Sequence, residues 1–465
     1  MRNWLSVLIA DARSKKRDDI PIVPSSYSLS NKMDNSLLAV RDINHKYIVV
    51  EKGRYIKMDN IKELMRPAFA QLDGGLFSVT EKADVGDVQE RMQQMGVAMM
   101  SWADPFMPDP SLPEAVKKAA IEAIESGIPA HYIMPIGSPD LKVLIAKRTK
   151  EKFGIELDPQ RNIIINPGSD VGLMFAMAPW INPGDEVMVH DPSYGSNFLN
   201  AELLGGVTVR VPSYEEDDWH LRIEEYEKRL TDKTKMVLLT NPNNPTCVCY
   251  TREELEQLAQ FCIKNNLICV VDQAFEDSVF DGRAMTCMAS LPGMWERTVT
   301  VCSTSKGMAL SGLRVGWIYA NDIIMDAYFG SAVNMQGATS TLGQLAVMPA
   351  FEDDSFIKEY LIKYDNRRKY AYNLFNSIPG VSMKMPEATF LIWINVSKLG
   401  TSTEVTKYLI DEAKVNVNDG KFYGSMGEGH LRVVTGCFLE DKDCFAALDR
   451  MADAFRKLGK EKGIV

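Results

Sequence analysis

The stretch TVTVCSTSKGMALSGLRVGWIYA, residues 298–320, decides the fold. Two apolar, β-branched runs, TVTVC (298–302) and VGWIYA (315–320), enclose a polar segment holding Lys306 and Arg314. Near-continuous apolar runs of this length are the mark of strands buried on both faces. Five more precede them: NIIIN (162–166), EVMVH (186–190), VTVRV (207–211), MVLLT (236–240) and ICVVD (268–272). Stretches of helical character lie between. One is clearly signalled: Thr251 is an N-cap, Glu254 three residues on completes a capping box, and Leu255, Leu258, Ala259 and Cys262 share one face. Strands alternating with helices predict an α/β fold built on a mostly parallel, doubly wound sheet. Ligands of such sheets sit at the carboxyl ends of the strands, so the residues just after each strand carry the functional reading.

Working outward, the pattern changes after residue 350. Helical, charged segments (355–376, 404–413, 441–458) flank short strands around 389–396 and 430–434, which predicts a smaller α+β domain. Residues 1–76 have no sustained period and read as an extension, with a charge cluster at 13–19, a Pro-, Ser- and Asn-rich stretch at 21–35, and a hairpin over 46–58 (KYIVV and RYIKM). A helix over 85–95 and a Pro-rich turn over 104–113 follow. The expected organisation is therefore an extension (1–76), an N-terminal part of the small domain (77–114), a large domain (115–350) and a C-terminal small domain (351–465).

Composition narrows the function. The 465 residues include 62 acidic and 52 basic side chains, a net charge of −10, whereas a nucleic-acid or anionic-membrane binder needs a basic surface. The longest apolar run, 171–181, falls well short of the ~20 residues of a membrane span. The opening MRNWLSVLIADARSKKRDD runs from a brief apolar stretch straight into charge without a small-residue cleavage site, which reads against a secretory signal. The 8 cysteines are scattered without a CxxC, and free buried thiols in a reducing, cytoplasmic setting are expected. Cys247 and Cys249 read as small apolar fillers. No histidine spacing of the HExxH or HxH kind points to a metal site. The GSMGEG run (424–429) neither follows a strand nor opens a helix, so it reads as a turn before Arg432.

The strand ends read Gly168-Ser169-Asp170, Asp191-Pro192-Ser193-Tyr194, Asn241-Pro242-Asn243-Asn244-Pro245-Thr246, Asp272-Gln273-Ala274-Phe275 and Ser303-Thr304-Ser305-Lys306, with Arg314 eight residues beyond the lysine. They suit an anionic, aromatic ligand. Gly168 and Ser169 open a helix, whose free N–H groups favour a phosphate. Ser303, Ser305 and Arg314 add hydroxyls and a fixed cation. Tyr194 offers a stacking face, Asp272 a carboxylate for a ring nitrogen, and Lys306 an amine that becomes nucleophilic when its pKa is lowered.

In order and spacing these pieces resemble the pyridoxal-phosphate enzymes of fold type I, specifically the class I/II aminotransferases, from about residue 77 to the end. STSKGMALSGLR matches that family's SxSKxxxxxGxR run. The resemblance implies pyridoxal 5'-phosphate held covalently by Lys306, with Asp272 on the pyridinium nitrogen. It further implies Asn244 on the phenolic oxygen and Tyr194 stacked on the ring. Gly168, Ser169, Asp170 (through its N–H), Ser303, Ser305 and Arg314 would hold the phosphate. Tyr132, in HYIMPIGSPDLK, would reach the phosphate of the other subunit, which implies a homodimer with shared sites. Arg432, in GEGHLRVV, would clamp the α-carboxylate of an amino acid or 2-oxo acid, and the freed Lys306 amine would move the Cα proton. Two positions depart from the pattern: Phe275 stands where the family has tyrosine on the phenolic oxygen, and Cys247 where it has glycine.

Transamination is the reaction the resemblance implies. A lyase, decarboxylase or carbon–carbon bond-forming enzyme on the same fold is the alternative. A transcription regulator would need a basic helix-turn-helix, which residues 1–76 do not show, and a binding scaffold would not need Lys306. For the substrate, residues 315–357 hold no Lys or Arg, which disfavours a distal carboxylate unless Arg54 or Arg66 of the extension supplies a cation. That stretch offers Asn334, Gln336, Thr339, Ser340 and Thr341, while Trp102, Phe106 and Met107 suggest an apolar or aromatic contact.

Overall fold

The computed structural model describes residues 94–464, with Arg66, Met92 and the strand backbone at 37–41, 47–51 and 54–57. The chain divides into two compact units, Met1–Asp73 and Gly74–Val465. In the first, β1 (Leu37–Arg41), β2 (Tyr47–Glu51) and β3 (Arg54–Lys57) form an antiparallel sheet in the order β1-β2-β3. The hairpin expected over 46–58 is β2 and β3, with Glu51 opposite Arg54. β1 was not anticipated. The helix expected over 85–95 lies for the most part outside the described residues.

The first strand described in the second unit is the short β4 (Ala98–Met99). A seven-stranded sheet follows: β5 (Ile163–Asn166), β6 (Glu186–Asp191), β7 (Val207–Pro212), β8 (Thr234–Thr240), β9 (Ile268–Asp272), β10 (Thr298–Ser303) and β11 (Gly316–Tyr319). These are the seven expected strands, ordered β5-β11-β10-β9-β8-β6-β7. β11 runs antiparallel to both of its neighbours, and every other pairing is parallel.

The apolar runs are explained by two covered faces. Ile164, Leu238, Val270, Val299 and Val301 pack on one side with Leu173 and Phe175 of the helix Ser169–Met177. Val237, Leu239, Cys269 and Val271 pack on the other with Leu255, Leu258 and Cys262 of the helix Arg252–Lys264. Each fully buried side chain of this size contributes about 1.5–3 kcal/mol. The capping box opens that second helix as anticipated: Thr251 Oγ1 accepts from Glu254 N–H at 3.2 Å, and Glu254 Oε2 from Thr251 N–H at 2.8 Å.

Beyond residue 350, the helices Phe356–Asn376 and Asp441–Glu461 pack on a second sheet. Its strands are β12 (Ser382–Met383), β13 (Leu391–Asn395), β15 (Asn418–Asp419) and β16 (His430–Val434), antiparallel in the order β12-β13-β16-β15, and β14 (Val415–Asn416) pairs in parallel with β4. The sequence indicated β13, β16 and both helices. It did not indicate β4, β12, β14 or β15, each two residues long and too short to establish a period.

Arg367 fastens this layer. It is fully buried on the helix Phe356–Asn376 and donates to Thr435 O at 2.9 Å, Phe438 O at 2.8 Å, Leu439 O at 3.3 Å and Asp441 at 2.8 Å. Losing it would strand buried acceptors and unpair Asp441. Arg367→Met should destabilise the protein by about 3–5 kcal/mol. Thermal unfolding checks this; an unchanged Tm would show that the carbonyls are satisfied without the guanidinium.

Candidate active site

Three strands build one side of the site. Ser303 at the end of β10 lies opposite Gly316 of β11, which lies opposite Asn166 of β5. Gly168 follows β5 with φ +86°, and a Cβ there would fall 2.5 Å from Arg314 Nη2. Only a residue without a side chain lets the guanidinium rest against this backbone. Arg314 donates to Ser311 O at 2.9 Å and Pro167 O at 3.3 Å, and pairs with no carboxylate among the described residues. Ser169 opens its helix beside this cation. Ser303 and Ser305 are buried, with Ser305 N–H on Ser303 Oγ at 3.3 Å. Asp170 is exposed in the first turn of the same helix.

Asp272 ends β9 between Thr240 of β8 and Val301 of β10. It is buried and accepts from Ala274 N–H at 3.1 Å. Burial raises its pKa from 3.8 to about 7, with the charge of Asp170 adding to the rise and the Ala274 N–H and Lys306 opposing it. Lys306 is partly buried and donates to Ala103 O at 2.5 Å. Its ammonium is held below its ordinary pKa, first by burial, while the nearby carboxylates of Asp170, Asp104 and Asp272 act the other way. Behind Lys306, a Cβ on Gly307 would lie 2.3 Å from Asp277 Cβ. Asp277 is buried and clamped by Arg148 and Lys152, so the loops after β9 and β10 rest on one charge cluster.

The second sheet supplies the opposite wall. Arg432 on β16 donates to Asn244 Oδ1 at 3.1 Å, joining the loop after β8 to the C-terminal layer. Its guanidinium lies over the Tyr423 ring, 4.8 Å from the centroid. Asp191, at the end of β6, accepts from Ser425 N–H at 2.9 Å, Ser425 Oγ–H at 2.7 Å and Met426 N–H at 3.1 Å, and Ser193 N–H donates to Tyr423 O at 2.8 Å. The GSMGEG run is thus a turn, as read, and it is tied to β6. Tyr194 follows directly, partly buried, within electrostatic reach of Asp170 and Arg432.

Other expected residues lie apart. Tyr132 is 95% exposed and touches nothing at this edge. Phe275 is buried against Phe390, ring centroids 5.3 Å apart, in the core of the C-terminal layer. Cys247 adopts φ +66°, the left-handed backbone that glycine takes without strain. Phe106 is no substrate contact: it is fully buried against Tyr360 and Tyr364. The polar groups of 334–341 are largely committed to the fold. Gln336 and Thr339 bond Ile165 O, Ser340 caps a helix, and Thr341 bonds His131 O. Three contributors went unnoticed in the sequence. Ala103 O and Ser101 O act through the backbone and leave no trace in residue type. Asn418 lies on β15, which is two residues long and too short to establish a period of its own.

This fold and these strand-end residues define a pyridoxal-phosphate enzyme of fold type I. Residues 99–451 match the family described as "Aminotransferase class I and II". The chain is 32% identical to an aspartate aminotransferase of Pyrococcus abyssi over 75% of its own length and 90% of the relative's. It is also 32% identical to aromatic-amino-acid aminotransferase 2 of Thermococcus litoralis, over 77% of this chain and 91% of that one. The solved aromatic aminotransferase of Pyrococcus horikoshii OT3 superimposes with a TM-score of 0.74 at 30% identity, covering 81% of this chain and 100% of that chain. The chain belongs to the class I and II aminotransferases, pyridoxal 5'-phosphate enzymes that move an amino group between an α-amino acid and a 2-oxo acid. The residues present fit the cofactor: among the described residues, Asp272 is a buried carboxyl without a salt-bridge partner, Arg314 is a cation without a carboxylate partner, and Lys306 is an amine of lowered pKa at the same sheet edge.

The Asp272 shift has a consequence for the cofactor-free protein. The folded carboxyl keeps its proton up to about pH 7, whereas the unfolded one releases it near 3.8. Unfolding therefore releases a proton in that window, and stability falls as pH rises through it. Denaturant titrations of the apo-protein from about pH 5 to 8 should show this fall, and Asp272→Asn should flatten it. Identical slopes in both proteins would place the titration elsewhere.

Proposed function

We propose that Lys306 is the amine that carries pyridoxal 5'-phosphate and that Arg432 receives the substrate's α-carboxylate. The observation that carries this reading is the convergence of Lys306, Asp272 and the Asn244–Arg432 pair at one sheet edge. When bound, the cofactor supplies an electron sink for charge developing at the substrate's Cα. Asp272 would keep a proton on the ring nitrogen. Asn244 Nδ2, carrying no hydrogen bond among the described residues, would donate to the ring's phenolic oxygen. Tyr194 would cover the ring, and Gly168, Ser169, the Asp170 N–H, Ser303, Ser305 and Arg314 would hold the phosphate. Lys306 Nζ, once displaced by the substrate, would take the proton from Cα, its lowered pKa keeping the amine in the uncharged form that can accept one.

We read 115–350 as the cofactor-binding domain, and 77–114 with 351–465 as the small domain. The pairing of β4 with β14 supports this split. A substrate without a distal carboxylate fits the lack of Lys and Arg over 315–357. A cytoplasmic location fits the eight free cysteines, Cys247, Cys249, Cys262, Cys269, Cys287, Cys302, Cys437 and Cys444, all buried. No helix among the described residues is long and apolar enough to cross a membrane.

The test is to add each amino acid singly to the holoenzyme and follow its absorbance. Conversion to the amino form of the cofactor, with a 2-oxo acid released, supports the reading; ammonia, pyruvate or CO₂ release would favour elimination or decarboxylation. Borohydride reduction followed by digestion should leave the cofactor on the peptide containing Lys306. Label on any other peptide would overturn the assignment.

The active form is proposed as a homodimer with shared sites. Ile121, Ile124, Ile128, Tyr132 and Met134 are all exposed along 121–134, and clustered apolar exposure marks an interface. Tyr132 would then complete the partner's phosphate site. Mixing a weakened Tyr132→Phe protein with an inactive Lys306→Ala protein should raise activity above that of either alone, because hybrid dimers carry one site free of both lesions. A monomeric active species in sedimentation would exclude this.

A further inference from the structure

Four arginines are buried among the described residues: Arg148, Arg367, Arg368 and Arg432. The first three each meet carboxylates: Arg148 those of Asp277 and Asp354, Arg367 that of Asp441, and Arg368 those of Asp281 and Asp365. Arg432, only 3% exposed, meets none. Its acceptors are all neutral. Asn418 Oδ1 takes Nε–H at 3.0 Å and Nη2–H at 2.6 Å, Ser101 O takes the other Nη2–H at 2.8 Å, and Asn244 Oδ1 takes one Nη1–H at 3.1 Å. Asn418 is buried directly opposite Arg432 in the β15–β16 register, so its amide oxygen is presented squarely to the guanidinium edge. Asn416 Nδ2, two residues earlier, bonds Ser101 Oγ at 3.2 Å and steadies the segment that offers Ser101 O.

We propose that Asn418 is a positioning residue that fixes the Arg432 guanidinium through a neutral oxygen, so that the charge stays available to an anion, the substrate's α-carboxylate. The inference rests on the reading of Arg432 given above. An aspartate at 418 would have the same shape and meet the same two N–H groups, but it would bring its own charge. The incoming carboxylate would then face a neutralised cation and a like charge beside it. Asn418 therefore selects for carboxylate substrates by withholding charge rather than by touching them.

The experiment compares the holoenzyme with Asn418→Asp, Asn418→Ala and Arg432→Leu. Cofactor absorbance and Tm verify that each is folded and loaded. Two ligands are titrated spectroscopically: the α-methyl analogue of the best amino-acid substrate, which binds but has no Cα proton to lose, and the amine formed by decarboxylating that substrate. Asn418→Asp should weaken the α-methyl analogue roughly 100-fold or more. Asn418→Ala should weaken it by about tenfold, the loss of a hydrogen bond to a charged group. The amine should bind alike to all four proteins. A loss under about fivefold in Asn418→Asp, with a large loss in Arg432→Leu, overturns the role of Asn418 and leaves Arg432 as the carboxylate site. Equal losses for the amine and the α-methyl analogue overturn it as a merely structural effect. No loss in Arg432→Leu removes the carboxylate assignment itself, and the inference with it. If Asn418→Asp does not fold, a carboxylate-specific loss in Asn418→Ala supports the proposal and its absence overturns it.

Discussion

Parallel strands covered on both faces leave the chain one place to do chemistry, the edge where their carboxyl ends emerge. All the strands of the large sheet but β11 run the same way, so Ser169, Tyr194, Asn244, Asp272 and Lys306 come to one edge from distant parts of the sequence. The exception obeys the same constraint. β11 is antiparallel and therefore starts where its neighbours end, which brings Arg314, just before it, to that edge as well. A fully parallel β11 would have carried Arg314 to the opposite end of the sheet.

The edge is electrostatically incomplete, and its chemistry follows from that. Asp272 is a buried acid whose pKa has risen to about 7, while Lys306 is a partly buried base whose pKa has fallen. In each case burial is the largest cause, because the charged form loses water. Arg148 and Asp277, directly behind, show the alternative: they are equally buried but paired, so each is held in its charged form. The fold thus separates charges that hold the loops from charges that await a ligand.

Much of this was legible in the sequence. All seven strands of the large sheet were: six because strands buried on both faces must be apolar at nearly every position, and the half-exposed edge strand β7 through its alternating β-branched residues. Lys306, Asp272 and Arg314 were legible because they follow or precede such runs. What stayed hidden has one of two causes. β12 and β15 are two-residue strands specified by what they pair with, not by their own pattern. Ala103 and Ser101 act through carbonyl oxygens, which every residue carries. Phe106 misled for a related reason: an aromatic near a site reads as a ligand contact until the ring is seen to turn into the core.

The two departures from the family pattern meet at the seam between the sheets. Cys247 S–H donates to Leu391 O at 3.3 Å, and its own carbonyl accepts from Glu387 and Ala388 N–H, both at 3.0 Å. A glycine would keep those two backbone bonds and the left-handed turn, but it would lose the thiol's hold on β13. Phe275 reaches the same layer by packing on Phe390, one residue before β13. β13 lies beside β16, with Trp393 opposite Arg432. Both departures therefore bear on how firmly the strand next to Arg432 is fixed against the large sheet. Neither removes a charged group from the edge. Asp191 fastens the other approach to Arg432, through Ser425 and Met426. The guanidinium itself is held by the oxygens of Asn418, Ser101 and Asn244, contacts that add no charge, which leaves this buried cation without a carboxylate partner among the described residues.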